Sequence, residues 1–184
     1  MKSEHDSIRT RRRGLPVTKL AVLLAATLGA IAIFAPALTT LQLRLVWNVT
    51  ASAPVGLYRI ESPRHLETND LVVVTPPEKL AAFLDGRGYL PRGVPLLKHI
   101  AALSGQTVCR SGPTILIDGR SIGAALEHDR AGRDLPQWQG CRRLSDNEVF
   151  LMNASVPDSL DGRYFGPTPR QLIIGTATAL WTYD

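Results

Sequence analysis

Hydrophobic and polar residues divide this chain into two unlike stretches. From Leu20 to Leu38 nineteen residues, LAVLLAATLGAIAIFAPAL, run without a charge. A run of about 20 apolar residues in helical rise matches the thickness of a bilayer core, so the pattern predicts one transmembrane helix. Beyond it no long helical period recurs. Asp70–Thr75 (DLVVVT) is a β-branched run stopped by Pro76-Pro77. Leu96–Leu103 (LLKHIAAL) reads as a buried strand interrupted by Lys98. Thr114–Ile117 and Arg120–Ile122 flank Asp118-Gly119, a strong signal for a two-residue hairpin turn. Val149–Met152 and Thr176–Tyr183 supply two later strands, and Glu78–Asp85 (EKLAAFLD) a short helix. The pattern predicts a mainly β domain of antiparallel, partly closed, barrel-like sheets behind an N-terminal transmembrane helix.

Charge orients this arrangement. The chain carries a net +5, of which +4 lies in residues 1–19. A basic tail beside an apolar run is a topology signal rather than a nucleic-acid footprint, and no nucleic-acid partner is expected. The expected organisation is a cytoplasmic tail (1–14), a transmembrane anchor (15–38) and a periplasmic domain (39–184). Within the last, Thr39–Asn48 serves as a connector and Trp47 rests at the membrane interface. Ala35-Pro36-Ala37 also resembles a small-residue cleavage site; cleavage there would leave the domain soluble in the periplasm. Either reading exports the domain. The two cysteines, Cys109 and Cys141, then read as a disulfide, two buried free thiols being the other reading. Neither has zinc-ligand spacing around it, so no metal site is expected.

Lysine usage points to chemistry. After the apolar run there are thirteen arginines but only two lysines, Lys79 and Lys98. Lys79 lies in a polar helix. Lys98 lies among Leu96, Leu97, Ile100 and Leu103, where burial would favour the neutral amine, a usable general base. A lysine that snorkels to water from an edge strand is the plainer reading. Ser52 precedes Pro54 and Gly56 on a constrained turn that can present its hydroxyl. On its own it is an ordinary turn residue.

Taken together, these segments resemble the bacterial type I signal peptidases, and within them the conjugal-transfer TraF-type peptidases. Ser52-Ala53-Pro54 is similar to the nucleophile box and Asn69-Asp70-Leu71-Val72-Val73 to the strand that follows it. Lys98-His99-Ile100-Ala101-Ala102-Leu103-Ser104-Gly105 is similar to the lysine box. Ser159-Leu160-Asp161-Gly162-Arg163-Tyr164-Phe165-Gly166 resembles the Ser-x-Asp-Ser-Arg-x-x-Gly box, and Ile174–Trp181 the closing strand. The general leader peptidases place two residues between the serine and the proline, where this chain has only Ala53. Their Gly-Asp-Asn is replaced by Asn153-Ala154-Ser155. The stretch from Asn48 to Tyr58 and the Cys109/Cys141 pair look like the TraF branch.

The resemblance implies a serine protease with Ser52 as nucleophile and Lys98 as general base. It implies that Thr50 helps bind the oxyanion, that Ser159 orients the lysine amine, and that Asp161 and Arg163 support the box as an ion pair. His99, on the opposite face of an alternating strand, is read as structural. No cofactor is implied. The substrate implied is a membrane-associated pilin precursor, cut by water or cyclised, with membrane lipid and other conjugative secretion components as partners. A general leader peptidase and a non-catalytic periplasmic pilus-assembly scaffold are the alternatives.

Overall fold

The computed structural model describes residues 17–38, 44–63 and 65–183. The chain divides into two compact units, residues 1–42 and 43–184. In the first, helix α1 spans Val17–Leu38. Its segment Thr18–Ala35 has a mean hydropathy of 2.0 and is long and apolar enough to cross a membrane. The basic residues Lys2–Arg13 lie outside the described residues.

The second unit is mainly β. Its strands are β1 (Leu45–Asn48), β2 (Val55–Glu61), β3 (Leu71–Val74), β4 (Leu96–Ala102), β5 (Thr107–Ser111), β6 (Thr114–Ile117), β7 (Arg120–Ala124), β8 (Gly140–Arg143), β9 (Glu148–Leu151), β10 (Thr168–Pro169) and β11 (Ile173–Tyr183). Helix α2 (Glu78–Gly86), the short helix α3 (Gly162–Phe165) and a 3-10 turn at Arg170–Leu172 complete it. Seven strands form one sheet in the order β1-β2-β11-β3-β4-β9-β10, and four form another in the order β7-β6-β5-β8. Every strand pair is antiparallel. The expected fold class therefore holds.

Alternation explains how the larger sheet buries both faces. Val72 and Val74 join Ile100, Val149, Leu151 and Ile173 in one cluster, while Val73 between them joins Tyr58, Ile60 and Leu97 in another. Side chains at successive strand positions point to opposite faces, so three valines in a row feed two cores. Each fully buried valine of this run contributes about 1.5–3 kcal/mol. A third cluster, with Ala102, Val108, Ile115 and Phe150, packs the smaller sheet against β4 and β9.

The β6–β7 hairpin turns at Asp118 (φ 49°) and Gly119 (φ 78°). Two successive positive φ values are what a two-residue turn needs to match strand twist, and the Asp-Gly dipeptide tolerates them. Thr39–Asn48 is not simply a connector. Leu45–Asn48 form β1, paired with β2 from Leu45↔Arg59 to Asn48↔Gly56. Four residues are too few for a period to register in the sequence; pairing with β2 makes the strand. The remainder of that segment, residues 39–43, lies outside the described residues.

Candidate active site

Between β1 and β2 the chain turns sharply through residues 50–54, and Asn48 at the end of β1 holds that turn. Its Nδ2 donates to the carbonyl oxygens of Thr50 (2.9 Å), Ala53 (2.9 Å) and Pro54 (3.0 Å). Its Oδ1 accepts from the Thr50 amide (3.1 Å) and the Thr50 hydroxyl (2.9 Å). The Tyr58 hydroxyl closes the far side on the Pro54 carbonyl at 2.6 Å. An asparagine that bonds the backbone just beyond it is a recognised turn device. In the sequence Asn48 is only a polar residue ahead of Val49 and Thr50, and nothing local marks it as the residue that holds this turn.

This network settles a proton. Thr50 Oγ1 and Ser52 Oγ lie 3.2 Å apart, and either could donate by geometry. The single Thr50 proton is already given to Asn48 Oδ1, which can only accept. Ser52 therefore donates to Thr50. In this arrangement Thr50 has no proton free for an oxyanion, and serving one requires its hydroxyl to turn away from Asn48.

Lys98 sits on β4 opposite Val72, in the middle of the larger sheet, and is 3% exposed. Its Nζ donates to Ser159 Oγ at 2.8 Å, and Ser159 is buried as well. Burial lowers the Lys98 pKa from 10.5 to about 8; the Asp161 carboxylate pulls it back up and the Arg163 guanidinium pushes it down. Desolvation is the dominant cause because an ammonium loses its hydration shell in that core. The plainer reading, a lysine reaching water from an edge strand, is excluded: β4 is a central strand.

The segment that follows β9 carries the supporting groups. Asp161 caps α3, accepting from the Arg163 amide, and takes the Arg163 Nε and Nη2 at 2.9 Å each. The guanidinium also donates to the carbonyls of Asn153, Val156 and Pro157. Both charged side chains are almost wholly buried, and each is paired and hydrogen-bonded as buried charges must be. They fix residues 153–157 and thereby the approach of Ser159 to Lys98. Gly162 is required here, since a Cβ would lie 2.7 Å from both the Leu151 carbonyl and the Phe150 ring.

Ser52, Thr50, Lys98 and Ser159 all line one cavity of about 240 Å³, with Leu84, Leu90, Leu96 and Val156 among its apolar wall residues. No hydrogen bond joins Ser52 to Lys98 among the described residues; such contacts in unliganded sites often tighten only with substrate. The arrangement has the parts for acyl transfer: a hydroxyl, a buried amine with lowered pKa, and a second hydroxyl holding that amine. Asp161 and Arg163 stand behind the cavity rather than in it. His99 is outside its lining, and its ring reaches Asn153 instead.

Two other sequence features fall elsewhere. Cys109 and Cys141 face each other across β5 and β8 and are joined as a disulfide in the smaller sheet. Gly119-Arg120-Ser121-Ile122-Gly123 has the letters of a nucleophile elbow. It occupies a hairpin turn and strand β7, whereas the elbow requires a strand-to-helix turn, so Ser121 is no rival to Ser52. Among the described residues no group of His, Cys, Asp and Glu is arranged to hold a metal ion.

A family model described as "Signal peptidase, peptidase S26" matches residues 17–182. "Conjugal transfer protein TraF" of Agrobacterium fabrum is 36% identical over 149 residues, 74% of this chain and 82% of the relative. "Plasmid transfer protein TraF" of Escherichia coli is 34% identical over 137 residues, 68% of this chain and 76% of the relative. Among solved structures, a signal peptidase I from Enterococcus faecalis V583 is similar at a TM-score of 0.38 and 20% identity. That match covers 65% of this chain and 99% of the other.

Proposed function

The chain belongs to the signal peptidase (peptidase S26) family, and on that premise we propose that it is a serine endopeptidase acting in conjugal transfer. Its substrate is a pilin precursor held in the membrane, processed at the periplasmic face. The observation that carries the enzymatic reading is Lys98: a buried amine with a pKa of about 8, bonded to Ser159 and lining the same cavity as Ser52. A scaffold has no use for such an amine, whose burial is destabilising at neutral pH. The conjugal role is supported by the relatives' names, by the single residue between Ser52 and Pro54, and by the Cys109–Cys141 pair.

In the reaction, Ser52 Oγ attacks the scissile carbonyl while neutral Lys98 takes its proton. The tetrahedral intermediate then collapses as the Lys98 ammonium protonates the departing amine, leaving an ester on Ser52. Water, activated by Lys98, releases a linear product. Attack by the precursor's own free amine, its proton passing to Lys98, releases a cyclic one instead. Helix α1 anchors the enzyme with its N-terminus inside, and the exposed cluster of Trp47, Trp181 and Tyr183 rests against lipid.

Mass spectrometry of the pilin from cells carrying the native chain or Ser52→Ala tests this reading. Precursor should accumulate unprocessed in the mutant at normal enzyme level and membrane insertion. A cyclic product is lighter than the linear one by one water. Normal processing in Ser52→Ala cells would show that the chain is not the peptidase.

A further inference from the structure

Asn153 lies two residues beyond the end of β9, and its side chain bonds groups from two other segments of the chain. Its Nδ2 donates to the Ser52 carbonyl, 101 residues away in sequence, and to the Leu97 carbonyl at 3.2 Å. Its Oδ1 accepts from the His99 amide at 2.9 Å and lies 3.1 Å from His99 Nδ1. Its own amide donates to Asp161 Oδ2 at 3.0 Å, and its carbonyl accepts from Arg163. The residue is 2% exposed. One amide group therefore touches the backbone of the nucleophile on one side and brackets the base on the other, since Leu97 and His99 are the two neighbours of Lys98.

From this geometry we infer that Asn153 is a positioning residue, which sets the distance and orientation of Ser52 relative to Lys98. The inference rests on the Ser/Lys reading above. Asn48 shapes the nucleophile turn from within, but all its bonds are local to residues 48–54. Among the described hydrogen bonds, the one from Asn153 to Ser52 ties that turn to the rest of the site. The requirement is specific to an amide. Nδ2 must donate to two carbonyls while Oδ1 accepts from two N–H groups, and His99 Nδ1 must carry its proton to satisfy the second. Aspartate has the same shape but offers no Nδ2–H, so it keeps the bonds with His99 and loses those to the Ser52 and Leu97 carbonyls.

The test measures kcat and KM of the full chain in detergent at about pH 8, using a fluorogenic peptide with alanines before the scissile bond. Asn153→Ala, Asn153→Asp and Ser52→Ala are compared with native, with rates referred to the folded fraction measured by circular dichroism. Both Asn153 variants should lower kcat by about 10- to 100-fold, the scale of misplacing a reacting group by about 1 Å, with KM within about twofold. The equal loss in Asn153→Asp marks the Nδ2 bonds, which join the Ser52 and Leu97 carbonyls, as the active part. Native kcat per folded molecule in either variant, or a loss confined to KM, overturns the inference. Ser52→Ala separates the two readings. If it is inactive while the Asn153 variants are not, only the positioning role falls; if it cleaves like native, the peptidase reading falls first.

Discussion

Lys98 Nζ donates a 2.8 Å hydrogen bond to Ser159 Oγ, joining two buried residues 61 positions apart in sequence. An amine on a four-carbon stem has many rotamers, and the base role proposed for Lys98 needs one of them. Ser159 selects it, and Asp161 and Arg163 hold Ser159 in place by clamping the segment around it.

Ser52 and Lys98 are expected to act as one unit. Ser52→Ala and Lys98→Ala should each abolish precursor processing, and the double variant should be no worse than either. Lys98→Arg should be equally inactive, because arginine does not deprotonate in proteins. Processing assays on membranes check this, and substantial activity in either single variant would remove the assignment.

Activity and stability should both rise with pH in the alkaline range. Lys98 must lose its proton to act, so the rate should climb with an apparent pKa of about 8. For stability, the folded pKa of about 8 lies below the unfolded value of 10.5. Between them the unfolded chain binds more protons, so folding becomes more favourable as pH rises through that window. Below it the full penalty applies, about 3 kcal/mol from this group. Lys98→Met should therefore be inactive yet more stable than native at neutral pH. Rate profiles and denaturant melts at several pH values measure both, and a flat rate from about pH 6 to 10 with chemistry rate-limiting would exclude Lys98 as base.

Removing the disulfide should destabilise the domain. Cys109 and Cys141 are 32 positions apart, and closing a loop of that size stabilises by roughly 3–4 kcal/mol on the chain-entropy estimate. The double Cys→Ser variant should show a correspondingly lower urea midpoint. Alkylation of the folded native protein without reductant should leave both sulfurs unmodified in the mass spectrum; two alkylated thiols would refute the bridge in solution.

Gly162 should not tolerate a side chain. The general family box has serine at this place, but here a Cβ would press on the Phe150 ring and the Leu151 carbonyl. Overpacking of this kind costs about 1–3 kcal/mol. Gly162→Ser should lower the thermal midpoint and, by shifting α3 and Asp161, reduce activity as well. An unchanged midpoint would mean that Phe150 moves aside freely.

The sequence by itself determined the features that are local. A nineteen-residue apolar run is visible without any partner, and so are the valine run, the Asp-Gly turn and a lysine set among leucines. The chemistry of Ser52 and Lys98 was suggested by resemblance, box by box. What it did not determine is how those boxes meet. Strands β1, β5 and β8 have only four or five residues each and exist because neighbours pair with them. Asn48 and Asn153 read as ordinary polar residues, because a side-chain amide takes its meaning from the groups it bonds. The Lys98 pKa, too, is a tertiary property. Leu96, Leu97 and Ile100 supply part of the apolar surroundings, but the burial that lowers it comes from a central strand covered by distant elements, and the opposing pulls come from Asp161 and Arg163. Local pattern specifies which elements form; desolvation and hydrogen-bond geometry are set only when segments far apart in sequence close around one another.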